Sequence, residues 1–189
     1  MDNEKLNILK LLIEHQDKTY SMRQIALERK INYKSAYLNL KTLAKEGVVH
    51  LQELGNITIC SFNQTWNASV FEVEYARLQA LLKNKDFLVL YNRLAKINSQ
   101  FILVLFGSYA KGQETKNSDI DLLLITDEPR SIEREIHLIP LKIHITHITY
   151  ENFNIMLKSK EFTVVSEATK KNILLFGAED YYRMIKNAR

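Results

Sequence analysis

The chain has 189 residues, of which 46% are hydrophobic and 25% are charged, and it contains a single cysteine, Cys60. This composition supplies enough apolar side chains for a packed core, so it excludes a generally disordered protein, and one cysteine excludes an internal disulfide. No apolar run approaches the ~20 residues of a membrane-spanning helix, and the charged start MDNEKLNILK lacks the apolar core of a signal peptide. We therefore expect a cytoplasmic globular protein of one or two domains that has no membrane partner.

Net charge does not distinguish the two parts of the chain. The total is +4; residues 1–66 carry nine basic and seven acidic side chains, and residues 67–189 carry seventeen and fifteen. Each part has a net charge of +2, so charge alone does not indicate which part would bind nucleic acid. Local patterns are more informative.

Three helices are predicted at the start of the chain. Apolar residues at helical spacing predict the first over 5–14. Ser21, followed three residues later by a glutamine, predicts a capping box at the start of a second helix over 22–29. Asn32 is a good N-cap for a third helix over 33–45, whose apolar side chains share one face.

Two β-prone runs follow, over 48–54 and 57–63, and the Gly55-Asn56 pair between them predicts a hairpin. Helix, helix, turn, helix and hairpin is the element order of a winged helix. The segment NYKSAYLNLKTLAKEGVVH resembles the third helix and first wing strand of winged helix-turn-helix DNA-binding domains. This resemblance implies that residues 1–66 bind DNA, with the start of the third helix in a major groove. The residues implied to face DNA are Tyr33, Lys34, Ser35, Tyr37 and Lys41.

Residues 67–189 are predicted to form a second domain. The boundary is expected at Trp66-Asn67-Ala68-Ser69, where Ser69 is a candidate N-cap. Two helices are predicted next, over 70–82 and 87–97. We favour the interpretation that these helices cover one face of a sheet. The alternative is that they form a connector that transmits conformational changes between the domains.

The most informative stretch is LVLFGSYAKGQETKNSDIDLLLIT, residues 103–126. Its first apolar run, typical of a strand buried on both faces, ends in Gly107-Ser108. Gly107 allows the backbone to approach a ligand closely, and Ser108 offers a hydroxyl and an amide to a phosphate oxygen. Lys111 could add positive charge. These three residues are therefore the candidate nucleotide-binding residues.

Two carboxylates open the next apolar run. Asp119 and Asp121 lie two residues apart at the start of a predicted strand. Because side chains alternate along a strand, both carboxylates should project from one face, about 6–7 Å apart, with Ile120 and Leu122 pointing into the core. Two oxygen ligands at this spacing can share a Mg²⁺ ion that also binds nucleotide phosphates. Asp119 and Asp121 are accordingly candidate metal ligands and catalytic residues.

The two halves of this stretch form one spaced motif: Gly-Ser, ten residues, then Asp-x-Asp. The motif resembles the signature of the polymerase-β-like nucleotidyltransferase superfamily, and most closely that of its minimal nucleotidyltransferase (MNT) branch. The resemblance covers residues 87–150 and, loosely, the C-terminal tail. It implies a nucleotidyltransferase-fold α/β domain, with a small mixed sheet flanked by helices, so that the whole chain is of the α+β class.

The resemblance also implies a reaction. Mg²⁺ or Mn²⁺ would be the cofactor, and an NTP, expected to be ATP, would give up a nucleotidyl group, expected to be AMP, to a hydroxyl. By analogy Gly107 and Ser108 hold the triphosphate, and Asp119 and Asp121 hold metal. MNT proteins often act as antitoxins that nucleotidylate a HEPN toxin, so a HEPN-type toxin is one candidate partner and a second copy of the chain is another.

One feature of the superfamily is missing from the strand predicted over 141–148. A third carboxylate usually lies there, whereas this strand reads LKIHITHI and contains no Asp or Glu. His144 takes the place of the acid and shares a face with Thr146, while His147 points to the other face. A neutral imidazole can accept a proton but is a poor Mg²⁺ ligand beside carboxylates. His144 is therefore a candidate catalytic residue; the alternative is that both histidines are ordinary half-buried strand residues.

The tail is predicted to contain a short apolar run and three helices, over 150–157, 162–171 and 178–186. The last helix contains Tyr181 and Tyr182. At the surface this pair could serve a dimer or a partner, although core packing is the commoner fate of such residues.

Three functions fit these patterns. In the first, the second domain is an active nucleotidyltransferase. In the second, the chain is a DNA-binding transcription regulator whose second domain is catalytically weakened and serves nucleotide sensing or dimerisation. These two are compatible, because antitoxins often repress their own operons. In the third, residues 1–66 are a small helical domain that contacts only protein, and both domains are interaction surfaces.

Overall fold

The computed structural model of the chain describes residues 3–16, 18–159 and 161–188. Contacts divide the chain into two compact units, Met1–Val73 and Glu74–Arg189. This division lies inside a helix, a few residues after the predicted boundary at 66–69. Nowhere in the described residues does a helix combine the length and apolar character needed to cross a membrane.

The first unit combines helices with a small antiparallel sheet. Its described elements are α1 Glu4–Glu14, β1 Tyr20–Ser21, α2 Met22–Glu28, α3 Tyr33–Lys45, β2 Val49–Leu54 and β3 Ile57–Phe62. The strand order is β1-β3-β2, and β2 and β3 pair antiparallel from Val49↔Phe62 to Leu54↔Ile57. The predicted helices and hairpin are confirmed. The strand β1 was not predicted, because two residues are too few to show a periodic pattern.

Side-chain caps mark where α2 and α3 begin, and a glycine marks where α3 ends. The Ser21 hydroxyl accepts a hydrogen bond from the Gln24 amide at 3.3 Å, and the Gln24 side chain accepts one from the Ser21 amide at 2.8 Å. This is the predicted capping box of α2. Asn32 Oδ1 accepts from the Ser35 amide at 2.8 Å and caps α3. Gly47 follows α3 with a φ of +74°, a left-handed conformation typical of a glycine just after a helix.

The second unit is built around a mixed sheet. The helix α4 (Ala68–Leu81) contains the boundary between the units. The described elements that follow are α5 Lys85–Leu94, β4 Ile102–Phe106, α6 Gly107–Lys111, β5 Ile120–Ile125, α7 Arg130–His137, β6 Ile143–Ile148, α8 Tyr150–Lys158, α9 Val164–Lys170, β7 Ile173–Phe176 and α10 Ala178–Asn187. The strand order is β6-β5-β4-β7; β5 and β6 are parallel, and the other pairs are antiparallel. This small mixed sheet with its helices agrees with the predicted α+β class.

The central strands β4 and β5 are buried on both faces. On one face their leucines form a hydrophobic cluster with side chains of α5 and α7; the strand members are Leu103, Leu105, Leu122 and Leu124. The alternating side chains of Ile102, Val104 and Leu123 are also fully buried, toward the opposite face. The helix α5 therefore covers one face of the sheet, which confirms the interpretation favoured from the sequence for the second of the two predicted helices.

Two local details differ from the predictions. The helix α7 was not predicted, because its eight residues bury only two isoleucines, Ile132 and Ile136, and one such pair is too short a pattern to indicate a helix. Ser69 was expected to cap α4, but Asn67 does so, since its Oδ1 accepts from the Val70 amide at 2.9 Å. Ser69 lies inside the helix, and its hydroxyl donates to Glu46 Oε2 at 2.8 Å.

A buried polar cluster holds the last helix in place. Tyr181 and Tyr182 are each 1% exposed, so they pack in the core and do not form a dimer or partner surface. The Tyr182 hydroxyl donates to Glu74, which also accepts from Arg77 Nη1 at 2.7 Å. The Asn172 side chain donates to the Tyr181 hydroxyl at 2.9 Å, and the Asn172 backbone carbonyl accepts from Arg77. Burial raises the pKa of both tyrosines, so both stay neutral.

Candidate functional site

Gly107 and Asp121 meet where β4 ends and β5 begins. The antiparallel register pairs Phe106 with Asp121, which brings the residue after β4 against the Asp121 side chain. Gly107 has a φ of +71°, and a Cβ at this position would overlap Asp121 Oδ2 and lie 3.0 Å from Asp121 Cγ. Any side chain here would displace the carboxylate, so the site requires glycine. One strand pair thus brings together the two halves of the sequence motif.

Asp119 lies one residue before β5 instead of within it. The strand begins at Ile120, whose amide donates to the Lys142 carbonyl at 2.8 Å. Asp119 is exposed and has no hydrogen bond or ion pair with any other described residue. Strand pairing therefore fixes the direction of Asp121 but not that of Asp119, and the spacing expected from strand alternation does not apply to this pair.

His144 lies beside Asp121 on the neighbouring parallel strand. The register of β5 and β6 pairs the two residues, and His144 Nδ1 is 3.5 Å from Asp121 Oδ1. The Asp121 side chain is 29% exposed and that of His144 is 67% exposed. An imidazole that can accept a proton therefore lies next to a carboxylate that can bind a cation.

The second histidine of β6, His147, contacts the protein backbone and does not belong to the candidate site. His147 is half-buried, and its Nε2 lies 2.8 Å from the carbonyl oxygen of Thr126. The interpretation as an ordinary half-buried strand histidine is therefore confirmed for His147. It is wrong for His144, because that side chain is mostly exposed to solvent.

The other predicted nucleotide-binding residues lie on the short helix α6. Ser108 is half-buried and Lys111 is exposed. Lys111 Nζ forms an ion pair with Glu167 Oε1 of α9 at 3.0 Å. Glu167 was not predicted, because it lies 56 residues from Lys111 and no local pattern connects the two. An anion that recruits Lys111 has to compete with this carboxylate.

Asp119 and Asp121 are the residues that could hold a divalent cation. Among the described residues, no group of three or more His, Cys, Asp and Glu side chains is arranged to hold a metal. Other acids do not complete the site: Glu135 lies 3.4 Å from Arg93, and Asp127 accepts a hydrogen bond from the first amide of α8. Mg²⁺ commonly uses one or two carboxylates when waters and nucleotide phosphates supply the remaining ligands, so the two aspartates fit a nucleotide-bound ion.

A second candidate surface lies on α3 of the first unit. Of the residues predicted to face DNA, Tyr33, Lys34, Tyr37 and Lys41 are exposed, whereas Ser35 is half-buried. The ring centroids of Tyr33 and Tyr37 are 6.5 Å apart, and Lys41 Nζ lies 5.7 Å from the centroid of the Tyr37 ring. The exposed side of α3 therefore carries a stripe of aromatic and basic side chains.

Comparison with known families identifies the class of the second unit. Its mixed sheet and the contact of Gly107 with Asp121 agree with a nucleotidyltransferase-type domain. Residues 90–181 match the family model described as Polymerase beta, Nucleotidyltransferase. The second unit therefore carries a polymerase-β-like nucleotidyltransferase domain, and this match does not reach the first unit. No curated protein and no solved structure matches the chain.

Proposed function

We propose that the second unit binds a nucleoside triphosphate together with Mg²⁺ or Mn²⁺ and transfers its nucleotidyl group to a hydroxyl. The observation that carries this proposal is the close approach of Gly107 to Asp121 within a nucleotidyltransferase domain. Because Gly107 has no side chain, the Asp121 carboxylate lies directly against the backbone at the end of β4, where Ser108 follows. ATP is the expected substrate, and AMP is the expected group transferred.

Each residue at the end of β4 and the start of β5 has a role in this proposal. Asp119 and Asp121 hold the cation, which when bound neutralises charge on the phosphates. Gly107 and Ser108 bind triphosphate oxygens through backbone amide and hydroxyl groups. Lys111 supplies a positive charge to the same phosphates.

His144 is the residue proposed to accept the proton of the acceptor hydroxyl. Its position 3.5 Å from Asp121 and its open exposure support this role. The hydroxyl oxygen attacks the α-phosphorus, pyrophosphate leaves, and the hydroxyl proton passes to the imidazole. No carboxylate is available on β6 for this step, since the described strand contains none.

The test separates nucleotide binding from transfer. The full chain is incubated with α-labelled ATP, Mg²⁺ or Mn²⁺ and candidate acceptors, including a HEPN-type toxin if its gene is adjacent. Binding of a non-hydrolysable ATP analogue is measured calorimetrically on the same samples. We expect label transfer to the acceptor, loss of transfer and of binding in Asp119→Ala/Asp121→Ala, and loss of transfer alone in His144→Ala.

Glu114→Ala is the matched control, because Glu114 is an exposed acid in the loop that leads to Asp119. Its replacement should leave binding and transfer unchanged. Transfer that persists undiminished in the double aspartate variant would contradict the assignment of this site. Binding without transfer in the unaltered chain would favour a nucleotide-sensing role for the domain.

A second function is proposed for the first unit: binding DNA as a transcription regulator. The exposed stripe on α3 supports it, and the element order α1, β1, α2, α3, β2, β3 agrees with the winged-helix resemblance of the sequence. Lys34 and Lys41 would contact phosphates, while Tyr33, Ser35 and Tyr37 would lie near base edges.

Fluorescence anisotropy with the protein's own promoter tests this second function. Affinity should fall steeply with salt, and Lys34→Ala and Lys41→Ala should each reduce the salt slope by about one. Lys10→Ala is the control and should change nothing, because that lysine belongs to α1 and lies 3.8 Å from Glu14. Absent or salt-insensitive binding would leave the unit as a protein-contact domain.

A further inference from the structure

A polar cavity of about 650 Å³ lies in the second unit among the end of α5, the segment that leads into β4, and α7. Its lining combines basic side chains, hydroxyls and one acid; the residues that matter here are Arg93, Lys96, Ser99, Ser131, Arg134 and Glu135. The volume is within the range of about 300–1,000 Å³ that small-molecule sites occupy.

This cavity is separate from the candidate nucleotidyltransferase site. Ser99 precedes β4, whereas Gly107 directly follows it. The strand has five residues, so its two ends are about 13 Å apart at ~3.3 Å per residue. The helix α7 likewise begins after the far end of β5, while Asp121 lies at the start of that strand. The cavity therefore lies toward the opposite end of the sheet from Asp121.

The charges of the cavity lining are unbalanced toward positive. Glu135 compensates Arg93, since Glu135 Oε2 lies 3.4 Å from Arg93 Nη1. Lys96 and Arg134 have no hydrogen bond or ion pair from their side chains to any other described residue. Two uncompensated cations that line one hollow favour an anion between them, because the concave surface concentrates their field.

Hydroxyl groups add a second signal for the same ligand chemistry. Ser99 Oγ is buried and has no hydrogen-bond partner among the described residues. A buried hydroxyl without a partner costs about 1–3 kcal/mol, so a ligand or water that supplies one is stabilised there. The Ser131 hydroxyl lies in the same lining. No aromatic ring lines the described cavity, so it offers no stacking surface for a nucleobase.

We propose that this cavity is an anion site that binds the phosphate groups of a small phosphorylated ligand. Lys96 and Arg134 supply the charge, and Ser99 and Ser131 supply hydroxyl donors. The phosphates could belong to free pyrophosphate or to the tail of a nucleotide, and the experiment distinguishes these sources. The site does not depend on the proposed transferase activity, because none of its residues touches Gly107, Asp121 or His144.

The experiment uses the full chain with the Asp119→Ala/Asp121→Ala replacements, in EDTA, so that phosphates cannot bind through a metal at the other site. Calorimetric titrations with pyrophosphate, ATP and adenosine are compared. We expect pyrophosphate and ATP to bind and adenosine not to bind. Equal affinities for pyrophosphate and ATP would show that only the phosphates are recognised. Tighter binding of ATP would show that the bound phosphates belong to a nucleotide.

The variants assign the binding to named side chains. Lys96→Ala/Arg134→Ala should weaken pyrophosphate binding by about tenfold or more, and Ser99→Ala should weaken it a few-fold. Lys85→Ala is the matched control, because Lys85 lies at the other end of α5 and outside the lining; it should leave affinity unchanged. Thermal denaturation verifies that each variant is folded.

Three outcomes would overturn the proposal. The first is the absence of pyrophosphate binding to the double aspartate background. The second is an affinity that Lys96→Ala/Arg134→Ala leaves unchanged in a folded protein. The third is tighter binding of a short single-stranded RNA than of pyrophosphate, which would identify the hollow as part of a nucleic-acid contact.

Discussion

The second unit holds carboxylates in two opposite ways. Glu74 is 3% exposed and accepts hydrogen bonds from Arg77 and Tyr182. Asp119 is exposed without a described partner, and the one described side chain that pairs with Asp121 is that of His144, at 3.5 Å. Both carboxylate oxygens of the buried acid accept hydrogen bonds from the protein, whereas the acids at the start of β5 remain open to solvent and to a cation.

This difference separates stability from function. A buried charge whose oxygens are both hydrogen-bonded within the protein is closed to a ligand, and its removal leaves its partners buried and unpaired. A carboxylate fixed by a strand but open to solvent adds little to the fold and can bind a cation. Replacement of the first kind should therefore unfold the protein, and replacement of the second should leave a folded, inactive one.

The largest effect on stability is expected for Glu74→Ala. It leaves the guanidinium of Arg77, which is 5% exposed, without its carboxylate, and such a loss costs about 3–5 kcal/mol. Urea denaturation of the full chain measures the free energy of unfolding. Glu72→Ala, an exposed acid on the same helix, is the control and should change it by less than about 0.5 kcal/mol. Equal free energies of unfolding for the two variants would show that the buried acid contributes no more to stability than an exposed one.

The largest effect on function is expected for Asp121→Asn. Replacement of this carboxylate should lower nucleotidyl transfer by about two orders of magnitude, because it removes a ligand of the charge-neutralising cation. The free energy of unfolding should change by less than about 1 kcal/mol. Mn²⁺ binding followed by electron paramagnetic resonance provides a second readout, and undiminished Mn²⁺ binding would argue against a metal role.

A glycine pair tests whether the Asp121 carboxylate needs the space beside it. Gly107 and Gly112 both have positive φ values, +71° and +64°, so alanine should cost about 1–2 kcal/mol of stability at either position. Only at Gly107 would the new Cβ meet Asp121; at Gly112 nothing lies within 4 Å. Nucleotide binding should therefore fall in Gly107→Ala and persist in Gly112→Ala. Equal loss in both would point to backbone strain alone.

A smaller effect is expected from the ion pair between Lys111 and Glu167. Glu167→Gln releases the lysine, and an exposed pair of this kind is worth about 0.2–1 kcal/mol, so nucleotide affinity should rise by up to about fivefold. Lys111→Ala should lower the affinity, and the double variant should match Lys111→Ala alone. A nucleotide affinity that neither replacement changes would show that Lys111 does not contribute to nucleotide binding.

The smallest effect concerns Glu46 of the first unit, a partly buried acid between the two extremes. Burial raises its pKa, but hydrogen bonds from Lys5 and Ser69 and the Lys5 charge together hold the pKa below the ordinary 4.5. Because the folded-state pKa is depressed, the stabilisation is present above 4.5 and is lost as pH falls through the lower folded value.

Glu46→Gln therefore should be less stable than the unaltered chain at neutral pH. The difference in unfolding free energy should vanish in acid, below the folded pKa of Glu46. Chemical denaturation at a series of pH values measures it. A difference that grows on acidification would contradict the depressed pKa.

Local patterns made much of the fold and the candidate site predictable. Gly107 and Asp121 were predicted to lie side by side because they flank one polar loop between two adjacent strands. When those strands pair, the residues on either side of the loop come into contact. The caps at Ser21 and Asn32 were predictable for the same reason, since each bonds three residues away.

Contacts between distant residues had no such signal. Tyr182 and Glu74 are 108 residues apart, and Lys111 and Glu167 are 56 apart, so no periodicity links either pair. The cavity beside Arg134 depends on α7, a helix with too few apolar residues to be predicted. The strand was predicted to begin at Asp119, one residue before its observed start at Ile120, because a pattern of apolar residues does not fix where the hydrogen-bonded ladder starts.

The position of β4 and β5 at the centre of the sheet has a consequence for how fast the site opens. Both strands have neighbours on each side, and their side chains other than that of Asp121 are buried, so their amides should exchange with solvent deuterium more slowly than those of the edge strands β6 and β7. Gly107 and Asp121 are attached to these slow-exchanging strands, whereas His144 belongs to an edge strand. Edge fraying would therefore release the imidazole while leaving the glycine and the carboxylate in register.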